Sequence, residues 1–124
     1  MTIRGLDHYA LLSSDAERTT RFYVDVVGLS VGERPELSFP GIWLYADDRP
    51  IVHVILGKDI RSNETGAVDH LAFVADGDVD AAEERLKAHG IAYSRRTIER
   101  TGVVQMFFRD PDNVGVELNF APRQ

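Results

Sequence analysis

An internal repeat constrains the fold of this chain more than any other feature of its sequence. Residues 6–10 (LDHYA) resemble residues 68–72 (VDHLA), at a spacing of 62 residues. The same spacing carries Gly28 onto Gly90 and Asp48 onto Asp110. Three matched landmarks at one spacing indicate a tandem duplication. We therefore predict a single domain over residues 1–124, with a first module at 1–57, a connector at 58–66 and a second module at 67–124.

Apolar periodicity and turn residues predict the same order of elements in both modules. For the first module we predict a strand at 5–12, a helix starting near Asp15 with Ser14 as its cap and ending before Gly28, and strands at 29–34, 41–46 and 51–57. For the second module we predict a strand at 68–75, a helix at 79–89, and strands at 92–98, 103–109 and 114–120. The predicted fold is α+β, with two tandem βαβββ modules.

Each predicted strand has one apolar face, which we expect to form the core, and one mixed face. A mixed polar and aromatic face on a curved sheet is suited to binding a ligand. The mixed faces carry three histidines, one acid and five further side chains that we predict to shape a substrate pocket: His8, His53, His70 and Glu117, and then Trp43, Tyr45, Gln105, Phe107 and Asn119. Arg34, Arg95 and Arg96 are candidates for binding an anionic substrate, but we interpret them as solvated side chains, the more frequent state of arginine.

The repeat pairs the candidate ligands. His8 and His70 lie in the first strands of their modules, whereas His53 and Glu117 lie in the fourth strands. Imidazole nitrogen and carboxylate oxygen are ligands of divalent first-row metals, so we predict a site for zinc, nickel, manganese, cobalt or iron. His8, His70 and Glu117 are the predicted metal ligands, and His53 is either a fourth ligand or a general base.

Several stretches of sequence also resemble the vicinal oxygen chelate superfamily, the glyoxalase/bleomycin resistance protein/dioxygenase family. They are Leu6-Asp7-His8, Arg21-Phe22-Tyr23 with Gly28-Leu29, Asp69-His70-Leu71-Ala72, and Arg109-Asp110-Pro111-Asp112-Asn113 with Glu117-Leu118. The resemblance implies a U-shaped mixed sheet around a divalent metal that the substrate chelates through neighbouring oxygens. It also implies a homodimer, and metal ligation by the same histidines and glutamate.

Three functions are compatible with this resemblance. The first is a metal-dependent lyase or isomerase that transfers a proton or adds a group on a small oxygenated substrate. The second is an iron-dependent extradiol dioxygenase, and the third is a non-catalytic small-molecule-binding protein similar to the bleomycin-resistance proteins. Glyoxalase I has a carboxylate at the position of His53, which argues against lactoylglutathione lyase activity here.

Composition limits the partners of the protein. Its formal net charge of −6 is unsuited to general nucleic-acid binding, which needs a basic face. No apolar run approaches the roughly 20 residues that span a bilayer. There are no cysteines, which excludes disulfides and thiolate zinc sites and suits a reducing compartment. We therefore predict a cytoplasmic protein that binds a small-molecule substrate and neither nucleic acid nor membrane.

Overall fold

The computed structural model describes residues 1–2, 4–57, 68 and 70–122, which divide between two compact units, Met1–Arg61 and Ser62–Gln124. Each unit contains one four-stranded sheet and one helical segment between its first two strands. The predicted α+β fold of two βαβββ modules is therefore confirmed. The predicted connector at 58–66 lies outside the described residues.

Unit 1 consists of strand β1, a helical segment and three further strands. Their bounds are β1 Tyr9–Ser13, α1 Ala16–Arg21 continuing as a π-helical turn over Phe22–Val27, β2 Ser30–Gly32, β3 Gly41–Ala46 and β4 Arg49–Leu56. The strand order is β1-β4-β3-β2. Strands β1 and β4 pair in parallel, and the other pairs are antiparallel.

Several predicted boundaries in unit 1 are wrong, since β2 ends at Gly32 and not at residue 34, and β4 begins at Arg49 and not at residue 51. The helix cap is Asp15 and not Ser14, because the Asp15 carboxylate accepts a hydrogen bond from the Arg18 backbone N–H at 3.0 Å. Strand β1 starts at Tyr9, so His8 lies immediately before the strand and not inside it. The predicted end of the helix is confirmed, since Gly28 adopts a left-handed conformation with φ of 96°.

Unit 2 repeats this order with a regular α-helix. Its elements are β5 His70–Ala75, α2 Val79–Ala88, β6 Tyr93–Thr97, β7 Val104–Arg109 and β8 Gly115–Phe120, with the strand order β5-β8-β7-β6. The turn before β8 is closed by the Asp110 carboxylate, whose Oδ1 accepts hydrogen bonds from the N–H groups of Asp112 and Val114, both at 2.8 Å. Asp110, Pro111 and Asn113 are residue types typical of such turns.

The register of the two sheets confirms the repeat residue by residue. Ala10 of β1 lies opposite His53 of β4, and Ala72 of β5 lies opposite Glu117 of β8. His53 also lies opposite Trp43 of β3, just as Glu117 lies opposite Phe107 of β7. His53 and Glu117 therefore occupy the same position in their sheets, each on a central strand and each opposite an aromatic residue.

The predicted apolar strand faces form the buried core. Leu44 and Val52 of unit 1 and Met106 of unit 2 have no exposed surface, and Val116 is almost fully buried. Burial of each such side chain contributes about 1.5–3 kcal/mol relative to exposure. The opposite faces are thereby left for polar and aromatic side chains. In the described part of the chain, no helix has the length and apolar character needed to cross a bilayer.

Candidate functional site

The mixed face of unit 1 holds a stack of three aromatic rings. The His53 ring lies 4.1 Å from the Trp43 ring at 9° and 3.8 Å from the His8 ring at 15°, measured between ring centroids and planes. Because β4 lies between β1 and β3, His53 is the middle ring of the stack. Two predicted site histidines and one predicted pocket residue are thus brought together in unit 1.

Hydrogen bonds determine which nitrogen of each stacked histidine carries a proton. His8 Nδ1 lies 2.6 Å from Asp7 Oδ2, and this hydrogen bond lowers the pKa of the Asp7 carboxyl group. A carboxylate only accepts, so Nδ1 of His8 is the donor and Nε2 keeps its lone pair. His53 Nε2 donates to the Pro50 carbonyl at 3.0 Å, which leaves the lone pair on Nδ1.

His53 is held in its neutral form near neutral pH. Burial, followed by the neighbouring His8 ring, lowers the pKa of His53 below the ordinary value of 6.5. A neutral imidazole with a free ring nitrogen can accept a proton or bind a metal. Both roles predicted for His53 are chemically available to it.

The mixed face of unit 2 holds a buried carboxylate. Glu117 is only 7% exposed, and its Oε2 accepts hydrogen bonds from Asn119 Nδ2 at 2.6 Å and from Gln105 Nε2 at 3.5 Å. Gln105 also donates to Asn119 Oδ1 at 3.0 Å, so the two amides support each other. The two predicted pocket amides therefore hold the candidate metal ligand in place.

The other oxygen of Glu117 faces His70. Glu117 Oε1 lies 3.4 Å from His70 Nε2, longer than the usual 2.7–3.2 Å of an N–H···O hydrogen bond. Imidazole nitrogen and carboxylate oxygen bind divalent metals at about 2.0–2.2 Å, so both atoms could serve as ligands of one ion. The donor types and their separation in unit 2 thus fit a divalent metal.

Each unit supplies only part of the predicted ligand set. Within the described residues, no group of three or more histidine, cysteine or acidic side chains could hold a metal ion. Unit 2 brings His70 and Glu117 together, whereas His8 belongs to unit 1. The joint ligation of one metal by His8, His70 and Glu117 stays a prediction.

The remaining predicted pocket residues differ in their surroundings. Phe107 meets the His70 ring edge to face, with 6.4 Å between the ring centroids. Tyr45 follows a β-bulge at Leu44/Tyr45, and its hydroxyl donates to the Glu33 carbonyl at 2.6 Å. The Tyr45 ring lies close over Gly32, and a Cβ atom on residue 32 would come within 2.6 Å of that ring. Tyr45 therefore joins β2 to β3, unlike Trp43, which stacks on His53.

Two side chains near these clusters were not predicted as site residues. Asp7 directly precedes His8 in the repeated motif, and the Asp7 carboxylate contacts the His8 ring. This adjacency in the sequence could have indicated the contact. Arg96 donates through Nε to Gln105 Oε1 at 2.8 Å and lies 5.5 Å from the centre of the Phe107 ring. The pairing of Arg96 with Gln105 across β6 and β7 depends on strand register, which the sequence does not display.

A groove of about 460 Å³ lies on the opposite side of the unit 1 sheet. It is lined by the first helix and by strands β2 and β3, including Thr20, Val24, Val31 and Ile42. Ile42 alternates with Trp43 along β3, so it faces away from the histidine stack. The groove walls include no histidine. We therefore place the candidate site on the histidine face.

Comparison with known proteins agrees with this organisation. Residues 5–118 match the family model of the Glyoxalase/Bleomycin resistance protein/Dioxygenase superfamily. The uncharacterized protein YwkD of Bacillus subtilis is 29% identical, and the match covers 95% of this chain and 98% of YwkD. The fosfomycin resistance protein FosX of Listeria monocytogenes is 23% identical, with a TM-score of 0.74 over 97% of this chain and 95% of FosX. The antibiotic binding protein TnmS3 of Streptomyces is 24% identical, with a TM-score of 0.71 over 98% of both chains.

Proposed function

The chain belongs to the Glyoxalase/Bleomycin resistance protein/Dioxygenase superfamily, and we propose that it is a metal-dependent enzyme of the lyase or isomerase type. Its substrate is a small molecule that binds a divalent metal through neighbouring oxygens. The observation that carries this proposal is the separation of 3.4 Å between His70 Nε2 and the buried Glu117 Oε1. Among the described residues, the partners of this buried carboxylate are neutral amides and a histidine, and such a carboxylate is stabilised by a cation.

We assign metal ligation to His8, His70 and Glu117. His8 suits this role because its Nδ1–H donates a hydrogen bond to Asp7, which leaves the lone pair of Nε2 available to a metal. The bound metal would polarise the substrate oxygens as a Lewis acid. Gln105 and Asn119 hold Oε2 of Glu117, so that Oε1 stays turned toward His70. His8 is supplied either by the same chain or by a second copy.

We assign His53 the role of general base and not of fourth ligand. Imidazole lone pairs lie in the ring plane, and a metal–nitrogen bond is only about 2.1 Å long. The planes of His8 and His53 are 15° apart at a centroid distance of 3.8 Å, so they do not meet within a bond length of both rings. One ion therefore cannot accept both lone pairs in this arrangement. Nδ1 of His53 is left to take a proton from a substrate carbon.

Three measurements distinguish the proposed proton-transfer enzyme from an iron-dependent dioxygenase and from a non-catalytic binding protein. The protein is purified without chelators, its metal content is measured, and it is incubated with dihydroxyacetone in D₂O. Proton transfer predicts metal-dependent incorporation of deuterium at the carbons next to the carbonyl, observed by ¹H NMR. The same set of two histidines and one carboxylate occurs in iron dioxygenases. Oxygen uptake with catechol, after anaerobic reconstitution with Fe²⁺, would therefore favour the dioxygenase function. A purified protein that contains no metal and still binds aromatic compounds would favour the function of a non-catalytic binding protein.

Asp7→Asn is expected to weaken metal binding by about 10–100-fold, the usual effect of losing the outer-shell partner of a metal-ligating histidine. The asparagine side chain no longer requires the proton to sit on Nδ1 of His8, so the tautomer that leaves Nε2 free is less populated. Titration calorimetry with Zn²⁺ measures the affinity, and ¹⁵N NMR of the histidine ring measures the tautomer. Asp48→Asn, in the exposed turn between β3 and β4, is the charge-matched control. Unchanged affinity in Asp7→Asn would contradict the role of Asp7.

We also propose that the protein is a homodimer. Strands β1 and β5 are sheet edges, and repeat-equivalent apolar side chains are exposed on or beside both. Leu6 and Val68 are 74% and 56% exposed, and Leu12 and Val74 are 49% and 89% exposed. Val74→Lys is expected to shift the protein to a monomer in analytical ultracentrifugation, because a charge at a dimer contact is costly to desolvate. Val31→Lys, on the exposed strand β2, is the control, and a dimer that tolerates Val74→Lys would count against this surface.

A further inference from the structure

Arg96 is a cation of unit 2 whose side-chain hydrogen bond goes to a neutral amide, whereas its neighbours Arg95 and Lys87 pair with carboxylates. Arg95 donates to the carboxylates of Asp80 and Glu83 at 2.9 and 2.8 Å, and Lys87 lies 3.4 Å from Glu84. Arg96 instead donates through Nε to the Gln105 amide oxygen at 2.8 Å. Among the described residues no acidic side chain forms an ion pair with it.

The contacts of Arg96 orient its guanidinium group. The hydrogen bond uses Nε, and the group lies 5.5 Å from the centre of the Phe107 ring, within the range of a cation–π contact. Its two terminal nitrogens have no described partner and present the N–H pair that binds carboxylates and phosphates in a bidentate manner. These two contacts hold the guanidinium group beside the pocket residues Gln105 and Phe107.

Arg96 also lies close to the candidate metal ligands of unit 2. Gln105, which accepts from Arg96, donates to Glu117 Oε2 at 3.5 Å, and Phe107 contacts both the Arg96 and His70 side chains. The guanidinium group is thus separated from the Glu117 carboxylate by one amide side chain. The guanidinium group is therefore a cation beside the candidate metal ligands, and no carboxylate among the described residues forms an ion pair with it.

We propose that Arg96 binds an oxyanion carried by the substrate, so that the preferred substrates are anionic. This inference rests on the proposed function, because it places the chelating oxygens of the substrate at the metal and its carboxylate or phosphate at Arg96. Phe107 and Gln105 are positioning residues that hold the guanidinium group. Substrate selection between charged and neutral compounds would then depend on one side chain.

The test compares two pairs of probes on Zn²⁺-loaded protein. Dihydroxyacetone phosphate and dihydroxyacetone differ by a phosphate, whereas 3,4-dihydroxybenzoate and catechol differ by a carboxylate. We expect the wild type to bind the charged member of at least one pair about tenfold or more tightly, since charge-assisted bidentate contacts are strong. Arg96→Gln is expected to remove that preference while leaving binding of the neutral member unchanged. The responsive pair identifies the oxyanion.

Arg100→Gln is the matched control, because Arg100 is exposed in the turn between β6 and β7 and its loss changes the net charge equally. Calorimetric affinities, together with the Zn²⁺ content, decide the outcome. A zinc-loaded wild type with no preference, with no binding of a charged probe, or with a preference that survives Arg96→Gln would overturn this inference alone. A wild type that takes up no divalent metal would overturn the proposed function and this inference together.

Discussion

Glu117→Gln is expected to reduce divalent metal affinity by more than about 100-fold, beyond the 10–100-fold typical of outer-shell partners. The substitution keeps the size of the side chain and the contacts with Asn119 and Gln105, but it removes the charge that the cation neutralises. Wild-type protein at a Zn²⁺ concentration 100 times its Kd should gain about 2.7 kcal/mol of stability, a rise in Tm on the order of 10 °C. Glu117→Gln should show almost no such rise.

The same substitution is expected to act in the opposite direction on the metal-free protein. Glu117 is 7% exposed and has no described lysine or arginine partner, so its charge is costly to bury. Metal-free Glu117→Gln should therefore unfold at the same temperature as the wild type or above it. Thermal unfolding with and without Zn²⁺ measures both effects, with Glu99→Gln at an exposed turn position as the control. A Zn²⁺-induced rise in Tm that persists in Glu117→Gln would refute metal ligation by this residue.

The internal repeat explains why the fold could be predicted from this sequence. In a duplicated module the same order of strands and helix must fit both halves of the sequence. The elements predicted for one half therefore test those predicted for the other. The Ser14 cap was wrong because Ser14 and the adjacent Asp15 are equally good caps by residue type. Their backbone conformations decide between them, and Asp15 has the extended one with φ of −135°. The π-helical turn at Phe22–Val27 had no sequence signal, since its apolar stripe also fits a regular helix.

The candidate site was predictable in its residue types and less so in its contacts. Strand alternation was enough to place His70, Gln105 and Asn119 on the same face as Glu117, because β5, β7 and β8 are regular. Alternation also places Tyr45 on the face of Trp43, but it does not predict that the Tyr45 hydroxyl bonds to the Glu33 carbonyl, a contact that depends on the pairing of β2 with β3. The stacking of His8 on His53 depends on the register between β1 and β4, which residues far apart in sequence determine.

His53→Gln is expected to leave Zn²⁺ binding nearly intact and to slow deuterium exchange into dihydroxyacetone by about 10²–10⁴-fold, the usual contribution of a positioned general base. Glutamine keeps a polar side chain of similar length next to Trp43 but has no nitrogen that accepts a proton near neutral pH. His8→Gln, by contrast, should abolish Zn²⁺ binding as well as exchange. His89→Gln serves as the control, because His89 is exposed at the end of α2 and bonds to the Arg85 carbonyl.

The pH dependence of the exchange rate gives a second test of His53. A general base must be neutral to accept a proton, and burial lowers the pKa of His53 below 6.5. The wild-type rate should therefore fall to half its plateau at a pH below 6.5, whereas the residual rate of His53→Gln should lack this decline. Parallel loss of Zn²⁺ and of exchange in His53→Gln would identify His53 as a ligand instead. That result would require its ring to leave the stack with His8, because two nearly parallel imidazoles cannot direct their lone pairs at one ion.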